Sequence, residues 1–190
     1  MEIRNSKQQI RSLQTQLRAS DSSDDLVIEG YFIVFNRETE LFPGAFEEIA
    51  PEAVGALDGQ DIRCLNNHDT QLVLGRTKSN TLTLRKDDKG LWGSVKINPD
   101  DTDAVNLYQR VKRGDVDQCS FGFEIVKEDT EHRDDGIKWT IREIILHEVS
   151  IVTFPAYADT GVQARQKDKQ RMLEMRKLKL KERLSNVKAT

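Results

Sequence analysis

Histidine and cysteine are scarce in this 190-residue chain, which limits the chemistry it can carry. Only three histidines occur, His68, His132 and His147, so an imidazole base has three candidates. The two cysteines, Cys64 and Cys119, fit a reducing cytosol in which thiols stay free. No His-Glu-x-x-His or Cys-x-x-Cys spacing occurs, which disfavours a metal hydrolase built from His68, Asp69, His147 and Glu148.

Long apolar runs are also missing, so no stretch of the sequence is expected to span a bilayer. The N-terminus lacks the apolar region of a secretory signal, and we expect no membrane partner. A hydrophobic content of 37% and a charged content of 32% are typical of one ordinary soluble domain with polar extensions.

The net charge of −3 conceals an asymmetry between the two parts of the chain. Residues 163–190 hold ten Lys/Arg and three Asp/Glu, a balance of +7, which leaves −10 for residues 1–162. A basic tail on an acidic body indicates either docking on an acidic partner or a solvated helix kept soluble by its charges. The composition leaves both open.

Short alternating segments dominate the chain between residues 26 and 155, and they predict an α+β, mainly β fold. We expect a small closed or partly open β-barrel of about seven strands with helices outside it. One internal helix is predicted over residues 101–113, with Asp101 as its cap and Gly114 as its stop. Other segments are predicted as a polar helix (2–19), a linker (19–25), short helices (45–50 and 51–57) and an exposed hairpin loop (127–136). The domain organisation we expect is an arm (1–25), a main domain (26–164) and a basic helical tail (165–190).

The segment from Val116 to Val126 alternates with period two, the pattern of a strand with one buried face. One face holds the apolar side chains, and the other holds Gln118, Ser120, Gly122 and Glu124. Ser120 is therefore predicted to be rigidly held and accessible on one side, as a nucleophile must be if a base can reach it. An ordinary solvent-facing strand serine gives the same pattern. Cys119 lies on the apolar face, where a thiol packs as a small hydrophobe.

Four further blocks accompany this strand: Pro43-Gly44-Ala45-Phe46, Asn66-Asn67-His68-Asp69, Leu72-Val73-Leu74-Gly75-Arg76 and the segment from Leu146 to Tyr157. Together and in this order, they closely resemble the prohead (capsid-maturation) serine proteases of tailed phages, a family related in fold to the herpesvirus assemblins. The resemblance runs from about Ile28 to about Ala164.

The resemblance implies catalytic roles for Ser120 as nucleophile and His68 as its base. His132 lies in a charged loop, a position typical of a solvated surface residue. The third member we expect is Glu148, with its neighbour His147 as the alternative. The prohead motif ends in Glu-Val-Ser and favours Glu148, whereas the assemblins use a histidine, which would favour His147. Strand alternation lets only one of these two face the site, and a surface ion pair with Arg142 or Arg76 is the ordinary alternative for Glu148. Oxyanion donors are open between backbone amides near Ser120, backbone amides of the Gly75-Arg76 turn and the Arg76 guanidinium.

The function implied is a serine endopeptidase that processes capsid and scaffolding proteins, and itself, during procapsid maturation. No cofactor or metal is implied. The major capsid protein and its scaffolding segment would be the substrates, self-association is possible, and no nucleic acid is required. The site of action would be the host cytoplasm, inside the assembling procapsid. A non-catalytic capsid-assembly or scaffolding module that retains the fold is the alternative.

Overall fold

The computed structural model describes residues 8–14, 17–22, 25–154 and 159–188. Within them, the strands are β1 (Gln9–Gln14), β2 (Arg18–Ser22), β3 (Asp25–Val34), β4 (Thr39–Phe42), β5 (Ala45–Ile49), β6 (Arg63–Asn66), β7 (Asp69–Arg76), β8 (Leu82–Lys86), β9 (Gly90–Ile97), β10 (Gln118–His132) and β11 (Ile137–Val152). The helices are α1 (Thr102–Arg113), α2 (Asp159–Lys188) and a short 3-10 helix (Thr77–Ser79).

These strands form two sheets. The larger sheet has the order β1-β10-β11-β5-β4, and β6 pairs with β11 while β7 pairs with β6. The smaller sheet has the order β2-β3-β9-β8. The mainly β prediction is confirmed. The barrel detail is not, because among the described residues no pairing closes either sheet, and the strands number eleven rather than about seven.

The larger sheet is built on the β10–β11 hairpin, whose two long strands pair antiparallel. Strands β5 and β6 both add to β11 in parallel, at different points along its length. The main hydrophobic cluster takes residues from both sheets and from α1, among them Ile28, Phe32, Leu107, Phe121 and Phe123. One side of the hairpin is therefore fixed by the core, and the other side is available for polar groups.

Helix α1 follows its sequence signals. The side chain of Asp101 accepts hydrogen bonds from the backbone N–H groups of Asp103 and Ala104, as a capping aspartate does. The helix ends at Gly114, whose φ of 88° lies in the left-handed region that glycine reaches without a Cβ clash. The prediction of this helix and both of its boundary signals is confirmed.

The prediction of an N-terminal helix over residues 2–19 is wrong where the structure describes it. Residues 9–14 form β1, which pairs antiparallel with β10, and residues 18–22 of the predicted linker region form β2, which pairs with β3. Leu17 between them is buried. The helical prediction rested on the spacing of Ile3, Ile10, Leu13 and Leu17, a weak signal that hydrogen bonding to two sheet edges outweighs.

Three other local predictions fail for related reasons. Residues 45–49 form a strand whose alternate side chains are buried beside β11, and residues 51–57 form turns rather than a helix. The predicted loop over residues 127–136 shortens to a turn at 133–136, because β10 continues to His132. The intrinsic helix preference of Glu and Ala in residues 45–50 yields to sheet pairing, and the long β10–β11 pairing outweighs the polar composition of residues 127–136.

Helix α2 is anchored to the larger sheet by a buried arginine. The Arg165 guanidinium donates to Glu47 Oε2 at 2.8 Å and to Glu128 Oε2 at 2.7 Å, and it lies 4.5 Å from the ring centre of Trp139. Lys169 follows, donating to the carbonyl oxygen of Pro43 at 2.6 Å. Beyond residue 172 the helix exposes its leucines. Of the helices described, none combines the length and the apolar character needed to cross a membrane.

Candidate active site

Ser120 lies near the start of β10, between two other strands. It stands opposite Ser12 of β1 on one side and opposite Ser150 of β11 on the other. Its sequence neighbours Cys119 and Phe121 are buried in the main core, so the backbone that carries the hydroxyl is held firmly. The predicted division of faces on this strand is therefore confirmed.

The predicted accessibility of Ser120 is wrong. The residue is fully buried, and its Oγ donates a hydrogen bond to the backbone carbonyl oxygen of Arg11 at 2.9 Å. The difference follows from the N-terminal segment, which pairs along β10 as a strand instead of standing away as a helix. The edge of β10 beside Ser120 is thus occupied by the chain's own N-terminal strand.

His68 occupies the tip of the β6–β7 hairpin. Asn66 pairs with Asp69, which leaves Asn67 and His68 as a two-residue turn with φ values of 51° and 62°. Two successive positive φ angles are typical of a type I′ turn, whose twist matches that of antiparallel strands. A histidine in this region is strained relative to a glycine, and such strain concentrates at functional sites.

Asn67 fixes this turn to the end of β11, and sequence reasoning gave it no role. Its backbone N–H donates to the Ile151 carbonyl oxygen at 2.9 Å, and its Oδ1 accepts from the backbone N–H of Thr153 at 2.9 Å. Asparagine favours the first position of a type I′ turn, so the Asn-His pair between two strand patterns was the available signal. We regard Asn67 as a positioning residue for His68.

Glu148 meets His68 from β11. Nδ1 of His68 donates to Glu148 Oε1 at 2.8 Å, and Oε2 accepts from the Ser150 hydroxyl at 2.5 Å. The carboxylate is nearly buried, with an exposed fraction of 7%. Because Gly122 pairs with Glu148 and Ser120 with Ser150, the register brings Ser120 and Glu148 to diagonal positions of one sheet face.

His147 lies in a β-bulge beside Glu148. Gly122 pairs with Glu148 and Phe123 with Leu146, so His147 has no opposite residue on β10. Leu146 and Val149 both belong to the core, which breaks the strict alternation expected for this strand. His147 Nε2 contacts Glu124 Oε1 at 3.0 Å, whereas His68 contacts Glu148.

The ordinary alternative for Glu148, a surface ion pair with Arg142 or Arg76, is wrong. Arg142 donates to Asp129 and Glu52 at 2.8 Å each. Arg76 donates through Nε and Nη2 to the two oxygens of Asp61, both at 2.6 Å. This pairing lowers the pKa of Asp61 to about 2. The Arg76 guanidinium is therefore already engaged as a donor.

The remaining sulfur and imidazole groups stand apart from this contact. Cys64 and Cys119 are buried and unbridged, and burial raises the pKa of the Cys64 thiol well above its ordinary value. His132 is exposed at the end of β10, as predicted. Within residues 8–14, 17–22, 25–154 and 159–188, no three His, Cys, Asp or Glu side chains group as metal ligands would.

Comparison with protein families gives a match over most of the chain. The model of the caudovirus prohead serine protease family matches residues 13–175. The chain belongs to this family. Ser120, His68 and Glu148 all lie within the part of the chain that matches the family.

One protein is similar to this chain in sequence and another is similar in fold. The prohead protease of Enterobacteria phage HK97 is 28% identical over 156 residues, which are 80% of this chain and 65% of that protein. The chain thus spans about two thirds of the length of this relative. The fold of this chain is similar to that of the bacteriophage T4 capsid assembly protease, with a TM-score of 0.51 at 13% identity. The similarity covers 80% of this chain and 99% of the T4 chain.

Proposed function

We propose that this prohead protease family member is a serine endopeptidase in which Ser120 is the nucleophile, His68 the general base and Glu148 the residue that orients His68. The observation that carries the proposal is the 2.8 Å contact between His68 Nδ1 and Glu148 Oε1 on the sheet face that also holds Ser120. The positions of the two carboxylate contacts, one to His68 and one to Ser150, support a fixed orientation for the imidazole.

The chemistry follows from the tautomer of His68. A carboxylate only accepts hydrogen bonds, so the contact with Glu148 keeps the proton on Nδ1 and leaves Nε2 as an acceptor. Among the described residues, Nε2 has no hydrogen-bond partner. Nε2 is therefore the acceptor that we assign to the Ser120 proton once Oγ turns from its contact with Arg11 to attack a scissile carbonyl, and Glu148 stabilises the imidazolium that results.

The substrates we propose are the major capsid protein and the scaffolding segment of a tailed phage, cleaved inside the assembling procapsid in the host cytoplasm. The HK97 relative is a prohead protease, and the T4 protein with a similar fold is a capsid assembly protease. The protease processes itself as well. Residues 26–164 would form the protease domain, to which Arg165 of α2 and strand β1 are added by buried contacts.

The proposal is tested by expressing wild-type chain and Ser120→Ala separately, each with the capsid protein of its own phage. We expect cleavage of the capsid protein, and trimming of the protease itself, only with the wild type. Ser79→Ala is a matched control, since Ser79 lies on the exposed 3-10 helix. Equal cleavage with wild type and Ser120→Ala would overturn the proposal.

A non-catalytic assembly module is a second candidate, and one observation favours it. The Ser120 hydroxyl is buried and donates to a carbonyl of its own chain. If that contact were permanent, neither wild type nor Ser120→Ala would cleave the capsid protein, yet both would enter procapsids. The same expression experiment separates the two functions.

A further inference from the structure

Strand β1 covers the edge of β10 on which Ser120 lies. It is an edge strand of the larger sheet, and it pairs antiparallel with β10 from Gln9 opposite Phe123 to Gln14 opposite Gln118. Without it, β10 would present an open edge beside Ser120. An exposed sheet edge of this kind binds extended peptides by adding a strand. The family match begins at residue 13, so Arg11 lies outside the part shared with the family.

One backbone group of β1 meets the nucleophile. The Arg11 carbonyl oxygen accepts from Ser120 Oγ at 2.9 Å. With a carbonyl bond of about 1.23 Å, the Arg11 carbonyl carbon lies within about 4.1 Å of Oγ. The carbonyl that the hydroxyl meets is therefore that of a basic residue, and the peptide bond beside it joins Arg11 to Ser12.

The Arg11 side chain reaches Glu47 of the larger sheet, a buried carboxylate that also accepts from Arg165. Its Nε and Nη2 donate to Glu47 Oε1 and Oε2 at 2.5 and 3.0 Å, and its guanidinium carbon lies 5.8 Å from the ring centre of Phe123. Burial alone would raise the pKa of Glu47, but the Arg11 and Arg165 charges outweigh it and keep that pKa below its ordinary value. A planar guanidinium meeting both carboxylate oxygens is the geometry by which proteins select arginine.

We infer that β1 occupies the substrate-strand position and that Glu47 selects a basic residue on the N-terminal side of the scissile bond. This inference rests on the proposed serine endopeptidase function and deepens it by naming the substrate class. The first substrate it predicts is the chain itself, at the bond between Arg11 and Ser12.

Cleavage of this bond requires water as its only other reactant. Ser120 Oγ attacks the Arg11 carbonyl carbon while its proton passes to His68 Nε2. The bond to the Ser12 nitrogen breaks, and the nitrogen takes that proton and leaves as a new amino terminus. Water then adds to the ester between Ser120 and Arg11, one of its protons returns to Oγ, and the product ends in the Arg11 carboxyl group.

The hydrogen bond between Ser120 and the Arg11 carbonyl oxygen also restrains the intact chain. A hydroxyl has one proton, and in the structure that proton is donated to the Arg11 carbonyl oxygen. The hydroxyl has to turn toward Nε2 before it can attack. While β1 is in place, it also covers the edge of β10 that another substrate needs. Loss of β1 is therefore expected to accelerate the cleavage of other proteins.

The first experiment maps the amino terminus of the purified full-length chain by intact mass and terminal sequencing. We expect a species that begins at Ser12 from the wild type and none from Ser120→Ala. In Arg11→Glu, the carboxylate would face Glu47, so cleavage at this bond should fall at least about tenfold, which corresponds to about 1.4 kcal/mol. Arg11→Lys, which keeps the charge without the planar fork, should be intermediate.

The second experiment compares two synthetic peptides with the sequence of residues 6–17, one with arginine and one with uncharged citrulline at position 11. Wild-type protease should prefer the arginine peptide at least about tenfold in kcat/KM, and Glu47→Gln should reduce that ratio to about one. If Glu47→Gln does not fold, the ratio of kcat/KM between the two peptides for the wild type and the self-cleavage of the Arg11 variants still show whether the protease selects arginine.

The outcomes separate this inference from the function on which it rests. Cleavage of both peptides at equal rates, or self-cleavage only at other bonds, would overturn the role of Glu47 and β1 but leave a serine protease. No cleavage of any peptide or capsid protein by the wild type, with Ser120→Ala behaving identically, would overturn the protease function itself. A ten-fold arginine preference that Glu47→Gln retains would also count against the pocket.

Discussion

Glu148 Oε1 occupies the space in which a side chain on Gly122 would begin. The two residues face each other across β10 and β11, and a Cβ built on Gly122 would lie far inside van der Waals contact with that oxygen. The same oxygen holds His68 Nδ1 at 2.8 Å. The glycine two positions after Ser120 is thus required by the contact that orients the imidazole, not by the turn or flexibility that glycine often provides.

Gly122→Ala is therefore expected to displace the Glu148 carboxylate and to lower kcat by about 10²-fold, because a small misplacement of a catalytic group has that effect. The fold should persist, since the added methyl group meets a side chain rather than backbone. Steady-state kinetics and circular dichroism measure the two effects. Gly55→Ala is the matched control, because nothing lies within 4 Å of a Cβ there. Wild-type kcat in Gly122→Ala would contradict the assignment of Glu148.

Glu148→Gln tests the same contact through charge instead of shape. An amide at this position can donate to Nδ1, which would favour the wrong tautomer of His68, so we expect kcat to fall by about 10²–10⁴-fold with little change in KM. His147→Gln is the matched comparison, since His147 contacts Glu124 instead. The ratio of kcat between these two variants is the readout. A larger loss in His147→Gln would reverse the assignment between the neighbours.

The sequence predicted the elements of the site better than its surroundings. The alternation around Ser120 is a local pattern and appears in the structure as predicted, and the Asn-His pair that forms the β6–β7 turn is a local pattern as well. The contact of His68 with Glu148 joins residues 80 positions apart, and the family resemblance pointed to it where spacing alone did not. The β-bulge at His147 is a departure from alternation that only the pairing with β10 determines.

The burial of Ser120 was not predictable from its own strand. It depends on residues 9–14 pairing with β10, and that segment is mostly polar with one β-branched residue, while Ile10, Leu13 and Leu17 follow a helix-like spacing. Likewise, Arg165 looked like one of ten basic residues in a solvated tail, yet its side chain is 1% exposed. In both cases, the partner that decides the conformation is more than 100 residues away along the chain.

Arg165→Ala is expected to destabilise the whole protein. The variant removes the Arg165 ion pair from Glu47 and Glu128 in a buried site, and breaking a buried ion pair in this way costs about 3–5 kcal/mol. Because Glu47 keeps Arg11, we expect the lower end of that range. Denaturant unfolding in a Ser120→Ala background, which prevents self-cleavage, measures the change. Arg171→Ala, exposed on the same helix, should change stability by less than about 0.5 kcal/mol.

Asp61→Asn tests the electrostatic support of the β6–β7 hairpin that carries His68. Arg76 lowers the pKa of Asp61 to about 2 in the folded chain, below the value of about 3.9 for an unfolded aspartate. A carboxyl group with a depressed folded pKa stabilises the protein above its unfolded pKa, and this stabilisation is lost as the pH falls toward the folded pKa. The Tm difference between parent and Asp61→Asn should therefore be constant above about pH 5 and shrink between about pH 4 and pH 2.

Melting curves of both proteins in the Ser120→Ala background, from pH 2 to pH 7, measure this difference. Asp88→Asn, in an exposed turn, is the matched control for the loss of one negative charge. Added salt should reduce the Tm difference because Asp61 and Arg76 are partly exposed and their attraction is screened. A Tm difference that grows on acidification, or one equal to that of Asp88→Asn at every pH, would contradict the stabilising role of the Asp61–Arg76 pair.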